Sequence, residues 1–509
     1  MTRSTEGDHR SSTASLRVKR LGLHTQHQAV VIMRTDCHVC RAEGLRARSQ
    51  ILVSANGRHV QATLYQVDSS LLGEGEIGLS ESAWSLLDVR EGDQVDVRHA
   101  PTLDSLAGVR RRIHGNRLEG DAINAIVKDV VAGHYTDVHL SAFLTASAAL
   151  PLDDQETIEL TRAMVTVGDR LDWRAPKVLD KHCIGGLPGN RTTPIVVAIV
   201  AVHGLVIPKT SSRAITSPAG TADTMEVLAP VDLDLDTMRR VVEAEGGCIA
   251  WGGAVRLSPA DDVFVRIERQ LDIDTEGQLI ASVLSKKIAA GATHVVLDVP
   301  VGPTAKVRTP EAAHALGSRL KSIAAHFDLE AVCIESDGSQ PVGRGIGPAL
   351  EARDVVAVLR NAPSAPGDLR ERAVSLAGAA LELGGVAQPE EGYHMAMAAL
   401  ADGRAWRKFE RICEAQGGMR DPPAAAHTRP LSARHSGRVA RIDNRKIARL
   451  AKLAGAPQAK AAGIHMHVTL GAPVEKGEPL LDVHAETPGE LDYAFGYVDR
   501  IEDIVEITT

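Results

Sequence analysis

Cysteine, long apolar runs and excess positive charge are all scarce in this sequence of 509 residues, and each scarcity excludes a class of protein. The six cysteines are too few and too scattered for a disulfide scaffold, so we expect a reducing, cytoplasmic location. No apolar run reaches the length of a membrane helix, and the polar start lacks the apolar core of a secretory signal. The net charge of −8 argues against a nucleic-acid-binding protein, because no basic face is available to neutralise a phosphate backbone.

Two of the cysteines, Cys37 and Cys40, form a CHVC sequence, a spacing that zinc and redox sites share. No matched second pair follows, and the stretch around them alternates as a strand does. A lone pair in such a stretch is more often incidental. We therefore interpret it as structural and expect neither a metal site nor a cofactor.

The apolar content of 44% can bury a sizeable core, and a chain of this length predicts about three or four domains. Short alternating runs predict a β-rich module, apolar residues at helical spacing predict a helical domain, and strands that alternate with helices predict an open α/β sheet. The last part reads as β-type alternation around one Lys-rich helix, Asn444 to Leu453. The predicted boundaries are 1–15 for a disordered tail, 16–100 for the N-terminal β-rich module, 105–175 and 258–290 for the helical domain, 176–257 and 291–425 for the α/β domain, and 426–509 for a C-terminal α+β domain.

The segment from Lys181 to Thr192, KHCIGGLPGNRT, concentrates glycine and positive charge where no regular element is expected. Gly185, Gly186 and Gly189 allow positive φ and a close backbone approach to a ligand. The apolar run that follows predicts a buried helix, whose free N-terminal amides favour an anion. No Walker A spacing occurs, so an ATPase loses its main support. A tight turn kept for packing is the alternative interpretation.

A second segment, Lys209 to Glu226, adds hydroxyl groups and one guanidinium in another turn-prone stretch. Its hydroxyl residues are Ser211, Ser212, Thr216, Ser217 and Thr221. Hydroxyls and the guanidinium of Arg213 suit phosphate because they donate hydrogen bonds in geometries that match a tetrahedral oxyanion. A solvated loop is the alternative, but two such loops at successive strand ends favour an anion site.

Both segments resemble the phosphate-binding glycine motif and the signature region of the thymidine and pyrimidine-nucleoside phosphorylase family, in the long form that includes the AMP phosphorylases. The similarity covers most of the chain and continues in AINAIVKDVVAGHYTDVHLSAFLTA, TRAMVTVGDRLDW, IASVLSKKIAAGATHVVLDVPVG and SGRVARID. It implies an α/β protein of the type II nucleoside phosphorylase kind. A helical domain would join an open α/β sheet domain that binds phosphate, beside an N-terminal β-rich module and a C-terminal α+β domain. It also implies a homodimer or larger homo-oligomer that uses inorganic phosphate as co-substrate.

The resemblance implies phosphate ligands in both segments. They are Lys181, Gly185, Gly186, Ser212, Arg213, Ala214, Ile215, Thr216, Ser217 and Thr221. Cys183 stands where the short form carries a serine, which removes one hydroxyl from the pattern. The Pro188-Gly189-Asn190 insertion belongs to the long form.

The resemblance also implies a set of residues that contact the base. His182 resembles the histidine that faces the pyrimidine carbonyl, where an imidazole donor stabilises charge on the leaving base. Arg269, Ser282 and Lys286 resemble the other base contacts, and the last two lie four residues apart, on one helix face. An ordinary solvated helix face is the alternative that spacing leaves open.

The implied reaction is phosphorolysis of thymidine to thymine and 2-deoxy-α-D-ribose 1-phosphate. Phosphorolysis of AMP to adenine and ribose 1,5-bisphosphate stays open. For that substrate the comparison adds Asp274 as proton donor to the leaving purine and Lys306 as a nucleotide ligand. A catalytically silent binding or assembly protein would have no need for these polar residues together. A phosphoribosyltransferase would require an acidic magnesium-binding pair near the glycine loop. The expected partners are a nucleoside or nucleotide and phosphate, with no nucleic acid and no membrane.

Overall fold

The computed structural model describes residues 15–26, 28–68, 70–214, 217–273, 275–501 and 503–508. The predicted tail therefore lies almost entirely outside the described residues, as do Ile215, Thr216 and Asp274. The chain divides into two compact units, Met1–Arg111 with Lys128–Leu140, and Arg112–Val127 with Ser141–Thr509. Within the described ranges, no helix combines the length and the apolar character needed to cross a membrane.

The first unit contains a closed β-barrel with strand order β1-β5-β2-β4-β3-β6. Its elements are β1 (Ser15–Leu23), β2 (Val30–Arg34), α1 (His38–Ala42), β3 (Gln50–Ala55), β4 (Arg58–Val67), β5 (Glu76–Ser80), α2 (Glu81–Leu87) and β6 (Gln94–His99). Alternate strand residues point inward, so aliphatic side chains such as Val53 and Leu64 are fully buried. Cys37 and Cys40 are buried in the same core as free thiols. The predicted β-rich module is confirmed as this barrel.

The helices that follow are α3 (Leu106–Ile113), α4 (Gly120–Val131), α5 (Asp137–Ala149) and α6 (Asp154–Thr166). A capping box begins α6, in which the Asp153 side chain accepts from the Glu156 amide and the Glu156 side chain accepts from the Asp153 amide. This reciprocal pair satisfies backbone donors that a helix start leaves open.

The α/β domain begins with alternating strands and helices. They are β7 (Leu179–Cys183), α7 (Thr193–Val202), β8 (Ile207–Ser211), α8 (Thr221–Glu226), α9 (Leu235–Glu245) and β9 (Gly247–Trp251). A short 3-10 turn, Gly252–Val255, follows. The helix predicted after the glycine segment is α7, and its residues from Ile195 to Val200 are fully buried. Because it has no solvated face, it carries no polar stripe.

The chain then adds two more helices before it returns to the sheet. They are α10 (Pro259–Leu271) and α11 (Glu276–Ala289). Buried aliphatic side chains of α11, such as Ile280 and Leu284, lie in one core cluster with Ile158 and Val165 of α6. Helix α11 therefore packs against α6, and the boundaries predicted for the helical domain stay a prediction.

The sheet is completed by parallel strands that follow α11. The remaining elements of this part are β10 (His294–Val301), α12 (Pro310–Ala325), β11 (Glu330–Asp337), β12 (Gly345–Ile346), α13 (Pro348–Leu359), α14 (Gly367–Gly384), α15 (Gly392–Ala401) and α16 (Arg404–Ala415). Strands β11, β10 and β7 form one parallel ladder and β8 with β9 another, and a parallel bridge from Val178 to Val206 connects them. The loops after β7, β8 and β10 therefore leave the same, carboxyl edge of the sheet, where ligands bind in open α/β folds.

The C-terminal part contains two small antiparallel sheets and two helices. Its elements are β13 (His427–Ser432), β14 (Gly437–Ile442), α17 (Asn444–Leu453), β15 (Gly463–Met466), β16 (Pro473–Val474), β17 (Pro479–Ala485), α18 (Pro488–Val498) and β18 (Val505–Thr508). The Lys-rich helix was predicted correctly as α17. The expectation of a single helix is wrong, because α18 begins at a capping box of Thr487 and Glu490 that the strand-like reading overlooked.

Candidate active site

The site is built on β7, whose residues alternate between the two faces of the sheet. Successive strand residues point to opposite faces, so Asp180 and His182 share one face while Lys181 and Cys183 share the other. Strand β10 runs parallel to β7 and pairs Asp298 with Cys183. One strand therefore delivers a lysine to one side of the sheet edge and a histidine to the other.

Lys181 is buried and contacts two neighbouring segments. Its Nζ donates to Thr192 Oγ1 at 2.7 Å and lies 3.9 Å from Asp298 Oδ2. Burial lowers the pKa of Lys181, although the Asp298 carboxylate opposes that shift. An ammonium group has three donors, and those that Thr192 does not engage suit the oxygens of a phosphate.

Asp298 is a buried carboxylate that the sequence analysis missed. It accepts hydrogen bonds from Asn190 Nδ2 at 3.0 Å and from Ser336 Oγ at 2.6 Å. Burial alone would raise the pKa of Asp298, but Lys181 and these two donors outweigh burial and lower it. The sequence does contain a signal for Asp298, which is its position within the apolar run HVVLDVPV. An ionised residue in a buried strand needs charged or hydrogen-bonding partners.

Cys183 and Asn190, both tied to the long-form pattern of the first segment, contact each other. Asn190 Nδ2 donates to Cys183 Sγ at 3.3 Å. Burial, followed by the nearby Asp298, raises the pKa of Cys183 to about 12, so the thiol is neutral at physiological pH. Cys183 and Asn190, the two residues that mark the departure from the short form, are therefore in direct contact.

The glycine loop requires glycine for steric reasons at two positions. Gly186 has a φ of 81°, and a Cβ there would lie 2.7 Å from Lys306 N. Gly189 has a φ of 78°, and a Cβ there would lie 2.2 Å from Val342 O. Around Gly185, by contrast, a Cβ would meet no atom within 4 Å in the described part of the chain. The structure thus brings the Lys306 segment against the glycine loop and leaves open space beside the α-carbon of Gly185.

Arg191 joins the two predicted phosphate segments to each other. Its Nε donates to Glu351 Oε2 at 2.6 Å, its Nη1 to Thr221 Oγ1 at 2.8 Å and its Nη2 to the Ala219 carbonyl at 2.8 Å. Burial raises the pKa of Glu351, at the start of α13, and Arg191 opposes that shift. Arg191, at the end of the first segment, therefore connects the glycine loop to the second loop and to α13.

Replacement of Arg191 with lysine should raise the KM for phosphate by about tenfold, with a smaller change in kcat, because one ammonium cannot span three acceptors in a plane. Initial rates over a range of phosphate concentrations measure this effect. Arg239→Lys, on the exposed face of α9, is the matched control and should leave the KM unchanged. A normal phosphate KM in Arg191→Lys would mean that other contacts hold the loops together.

Arg213, predicted to bind phosphate, lies in an ion-pair network of the second segment. Its Nη1 and Nη2 donate to Glu226 Oε2 at 2.8 Å and Oε1 at 2.7 Å. Its Cζ lies 4.9 Å from the centroid of the Trp251 ring. Glu226 therefore engages the two terminal nitrogens of the Arg213 guanidinium, which are the donors that bidentate phosphate recognition uses. The structure therefore gives Arg213 a role in holding the loop, and phosphate binding by its side chain stays a prediction.

Two further predicted ligands of this segment make hydrogen bonds within the loop. The Ala214 amide donates to Asp223 Oδ2 at 2.6 Å, and Ser217 Oγ donates to the Ala219 carbonyl at 2.8 Å. Both contacts stabilise the turn itself. Their predicted part in phosphate binding would require these bonds to rearrange.

Ser211 is a candidate phosphate donor that the sequence analysis counted among the hydroxyls but did not assign. Its Oγ is buried at the carboxyl end of β8 and has no hydrogen-bond partner among the described residues. Buried hydroxyls are normally paired, so an unpaired one at this edge suits a ligand oxygen. Ser212 beside it is exposed, and Thr221 Oγ1 accepts from Arg191.

Glu226 lies between two cations and should control the stability of the second loop in acid. Lys460 Nζ lies 2.6 Å from its Oε2, opposite Arg213. The Arg213 hydrogen bond, followed by Lys460, lowers the pKa of Glu226 to about 2 from an ordinary value of 4.5. A depressed carboxylate pKa stabilises the fold above the ordinary value, and this stabilisation is lost as pH falls from about 4.5 to about 2.

Replacement of Glu226 with glutamine should reduce the loss of folding stability at low pH, because the amide has no charge to neutralise. Thermal unfolding midpoints measured between about pH 6 and pH 2.5 should fall less steeply for the variant than for the wild type. The same substitution at the exposed Glu243 of α9 is the control. Parallel curves for wild type and Glu226→Gln would contradict the assignment.

His182 is half-buried on the face of the sheet that α11 covers. Burial lowers the pKa of His182 well below the ordinary value of 6.5, and four nearby lysines, Lys287, Lys209, Lys286 and Lys181, lower it further. The imidazole is therefore neutral at physiological pH. A neutral imidazole donates one N–H, the protonation state that a hydrogen bond to a base carbonyl needs.

The other predicted base contacts lie on α10 and α11. Ser282 and Lys286 are half-buried and one turn apart on α11. Lys286 Nζ lies 2.6 Å from Asp261 Oδ2, and this carboxylate raises the pKa of Lys286 although burial alone would lower it. Arg269 is exposed, about two turns beyond Asp261 on α10. Asp274, between the two helices, lies outside the described residues.

Family models match three consecutive parts of this chain. The helical bundle domain of a glycosyl transferase family matches residues 109–168, and the a/b domain of that family matches residues 175–406. The pyrimidine nucleoside phosphorylase C-terminal domain matches residues 438–504. Together they correspond to the helical, α/β and C-terminal parts described above.

Relatives match nearly the whole chain, including the barrel. A protein of Chelativorans sp. (strain BNC1) named "Putative thymidine phosphorylase" is 69% identical and covers 97% of each chain. A protein of the same name from Tolumonas auensis is 66% identical, over 97% of this chain and 98% of the relative. Among solved structures, anthranilate phosphoribosyltransferase from Thermus thermophilus is 21% identical with a TM-score of 0.50, covering 61% of this chain and 99% of that one. The last likeness concerns the fold alone.

The fold and these matches define a pentosyltransferase, an enzyme that moves a pentosyl group between a base and an oxyanion. The chain belongs to the thymidine and pyrimidine-nucleoside phosphorylase family, in its long form. The family, the fold class and the enzyme class were predicted correctly from the two loop segments and the motifs around them.

Proposed function

We propose that this enzyme cleaves thymidine with inorganic phosphate to give thymine and 2-deoxy-α-D-ribose 1-phosphate. The observation that carries the proposal is that consecutive residues of β7 place a candidate phosphate-binding group and a candidate base-binding group on opposite faces of the sheet. Lys181 points to the loops on one face, and the neutral His182 points to α11 on the other. A dianion and a pyrimidine could thus meet at the same strand end from opposite sides of the sheet edge.

On the phosphate side, the donors are a buried ammonium, a buried unpaired hydroxyl and a glycine backbone. Lys181 retains donors beyond its bond to Thr192, Ser211 Oγ has no partner among the described residues, and Gly185 has open space around it. These groups suit a tetrahedral anion held by fixed donors. Arg191 keeps the two loops at a fixed separation for that purpose.

On the base side, the reaction requires that negative charge on the departing base be stabilised. A phosphate oxygen forms the bond to C1′ while the C1′–N1 bond breaks and its electron pair leaves with the base. The His182 N–H stabilises the charge that grows on the pyrimidine carbonyl, and Ser282 and Lys286 hold the ring. Over the whole reaction, the proton of hydrogen phosphate ends on N1 of thymine.

AMP phosphorolysis is the second candidate, and one contact favours it. The Lys306 backbone lies against Gly186, so a lysine that follows β10 stands beside the glycine loop. A cation there suits a second phosphate, the 5′-phosphate of a nucleotide. In that reaction the product would be ribose 1,5-bisphosphate, and Asp274 would protonate the leaving purine.

Incubation of the purified enzyme with phosphate and each of thymidine, uridine, cytidine, AMP and CMP, followed by chromatography of the released base, tests both candidates. We expect phosphate-dependent release of thymine. Release from the 5′-monophosphates alone would reject thymidine in favour of the nucleotide reaction. Base release that needs no phosphate would reject phosphorolysis in both forms.

A further inference from the structure

Behind His182, three buried ionisable groups form a cluster that the reaction described above does not use. Asp180 Oδ1 lies 3.1 Å from Lys209 Nζ, and its Oδ2 lies 2.8 Å from Lys287 Nζ. The exposed fractions of these side chains are 2% for Asp180, 4% for Lys209 and 3% for Lys287. Strands β7 and β8 and helix α11 each contribute one member, so the cluster joins three elements of the fold.

The cluster holds more positive than negative charge, which is uncommon in a protein interior. Buried charges are normally balanced one to one, because an uncompensated ion loses its hydration without an equivalent partner. The neighbouring lysines follow that pattern: the buried Lys181 has Asp298, and the half-buried Lys286 has Asp261. At Asp180, by contrast, one carboxylate faces two ammonium groups.

The excess charge lies on the same side of β7 as the histidine. Strand alternation places Asp180 and His182 on one face, and Lys287 follows Lys286 directly on α11. Lys287 and Lys209 are also the two lysines that lower the pKa of His182 most strongly. The imidazole therefore stands between the cluster and the expected position of the base.

The charge of the cluster depends on Lys287. Burial lowers the pKa of Lys287 to about 7, with Lys209 adding to the shift and Asp180 opposing it. The other ionisable groups near the cluster are His182 on β7, Cys248 on β9, and Lys286 with Asp261 across α11 and α10. Burial raises the pKa of Cys248 to about 12, so its thiol adds no charge.

We propose that Asp180, Lys209 and Lys287 form a positioning unit. Its uncompensated positive charge acts through His182 and stabilises the negative charge on the departing base. The inference rests on the proposed phosphorolysis, since it concerns the base that this reaction releases. The unit touches no substrate and forms no bond. It acts as a fixed charge in a site of low dielectric constant, where such a charge stabilises an anion in the transition state more than it would in water.

Lys287→Met and Lys209→Met test the unit, because each leaves Asp180 with one lysine and removes the excess charge. At about pH 6, where Lys287 is protonated, both variants should show a kcat about tenfold below the wild type, with the KM for phosphate unchanged. As pH rises through about 7, wild-type Lys287 loses its proton, and the ratio of wild-type to variant kcat should fall towards one. The ratio cancels the ionisation of phosphate itself, which is common to all three enzymes.

Unfolding of the same variants separates this role from a structural one. Removal of an uncompensated buried cation leaves a balanced pair, so the thermal midpoints of both variants should equal or exceed that of the wild type. Lys408→Met is the matched control, because Lys408 is a buried lysine away from the site whose carboxylate partner, Glu245, is shared with the exposed Arg411. It should lower the midpoint and leave kcat and its pH dependence unchanged.

A ratio of wild-type to variant kcat that stays constant with pH would overturn the proposal, as would variants with lower midpoints and wild-type kcat. Failure of the proposed function gives a different result, since wild-type enzyme would then release no base with phosphate at any pH. The two failures are therefore distinguishable in one set of measurements.

Discussion

Replacement of Lys181 with alanine should lower kcat/KM for phosphate by about 10³-fold, mainly through a higher KM, and this is the largest effect on activity that we expect. Lys181 is the buried cation of the candidate phosphate site, at 1% exposure, and its Nζ is already oriented by Thr192. A fixed ammonium in a site shielded from water interacts strongly with a dianion. Alanine removes that charge, and its short side chain returns no donor.

Initial rates at varied phosphate and saturating nucleoside measure this loss. Asp298 stays hydrogen bonded to Asn190 and Ser336 after the substitution, so the sheet should retain its fold, which circular dichroism checks. Lys177→Ala is the matched control, since Lys177 precedes β7 and donates to the Leu383 carbonyl. An unchanged phosphate KM in Lys181→Ala would place the anion elsewhere in the molecule.

Replacement of Arg112 with methionine should lower the free energy of unfolding of the helical part by about 3–5 kcal/mol, the largest effect on stability that we expect. Arg112 Nη1 lies 2.6 Å from Glu156 Oε1, and neither side chain is more than 2% exposed. Its Nη2 also donates to the Leu150 carbonyl. Methionine fills much of the space but leaves the carbonyl without its donor and the carboxylate with a weaker set of partners.

Native-state hydrogen exchange of the α6 amides is the suitable measurement, because a chain of several domains does not unfold in one step. Arg162→Met supplies the comparison within the same helix, where the Arg162–Glu159 pair is exposed at 51% and 22%. That substitution should cost less than about 1 kcal/mol. Equal protection in the two variants would show that the buried pair contributes nothing beyond a surface pair.

The general architecture was accessible from the sequence because periodicity and turn residues report on local structure. Alternating runs predicted the barrel strands, and the apolar run after the glycine segment predicted α7. The expectation of no regular element from Lys181 to Thr192 is wrong at its start, because β7 extends to Cys183. Burial of single charged residues was not accessible in the same way. Arg110, Arg111 and Arg112 are consecutive, and only the packing of α3 decides that the third one is buried.

For the candidate site, the sequence identified the segments better than it identified the role of each side chain. Arg213 has the right chemistry for phosphate, but its fork is engaged by Glu226, thirteen residues further on. Arg191 lies at the end of the glycine segment in the sequence. Its hydrogen bond to Glu351, which is distant along the chain, is seen only in the structure. Such partners depend on tertiary contacts, and a local motif carries no information about them.

The single guanidinium that fastens the glycine loop, the second loop and α13 makes these segments one thermodynamic unit. Substitutions at Glu351 and Thr221 act on the same planar group, so their free-energy effects cannot add independently. A change in α13 would reach bound phosphate although Glu351 need not touch it. A substitution in any one of these three segments therefore changes the contacts of the other two, so we expect tolerated substitutions in them to occur together.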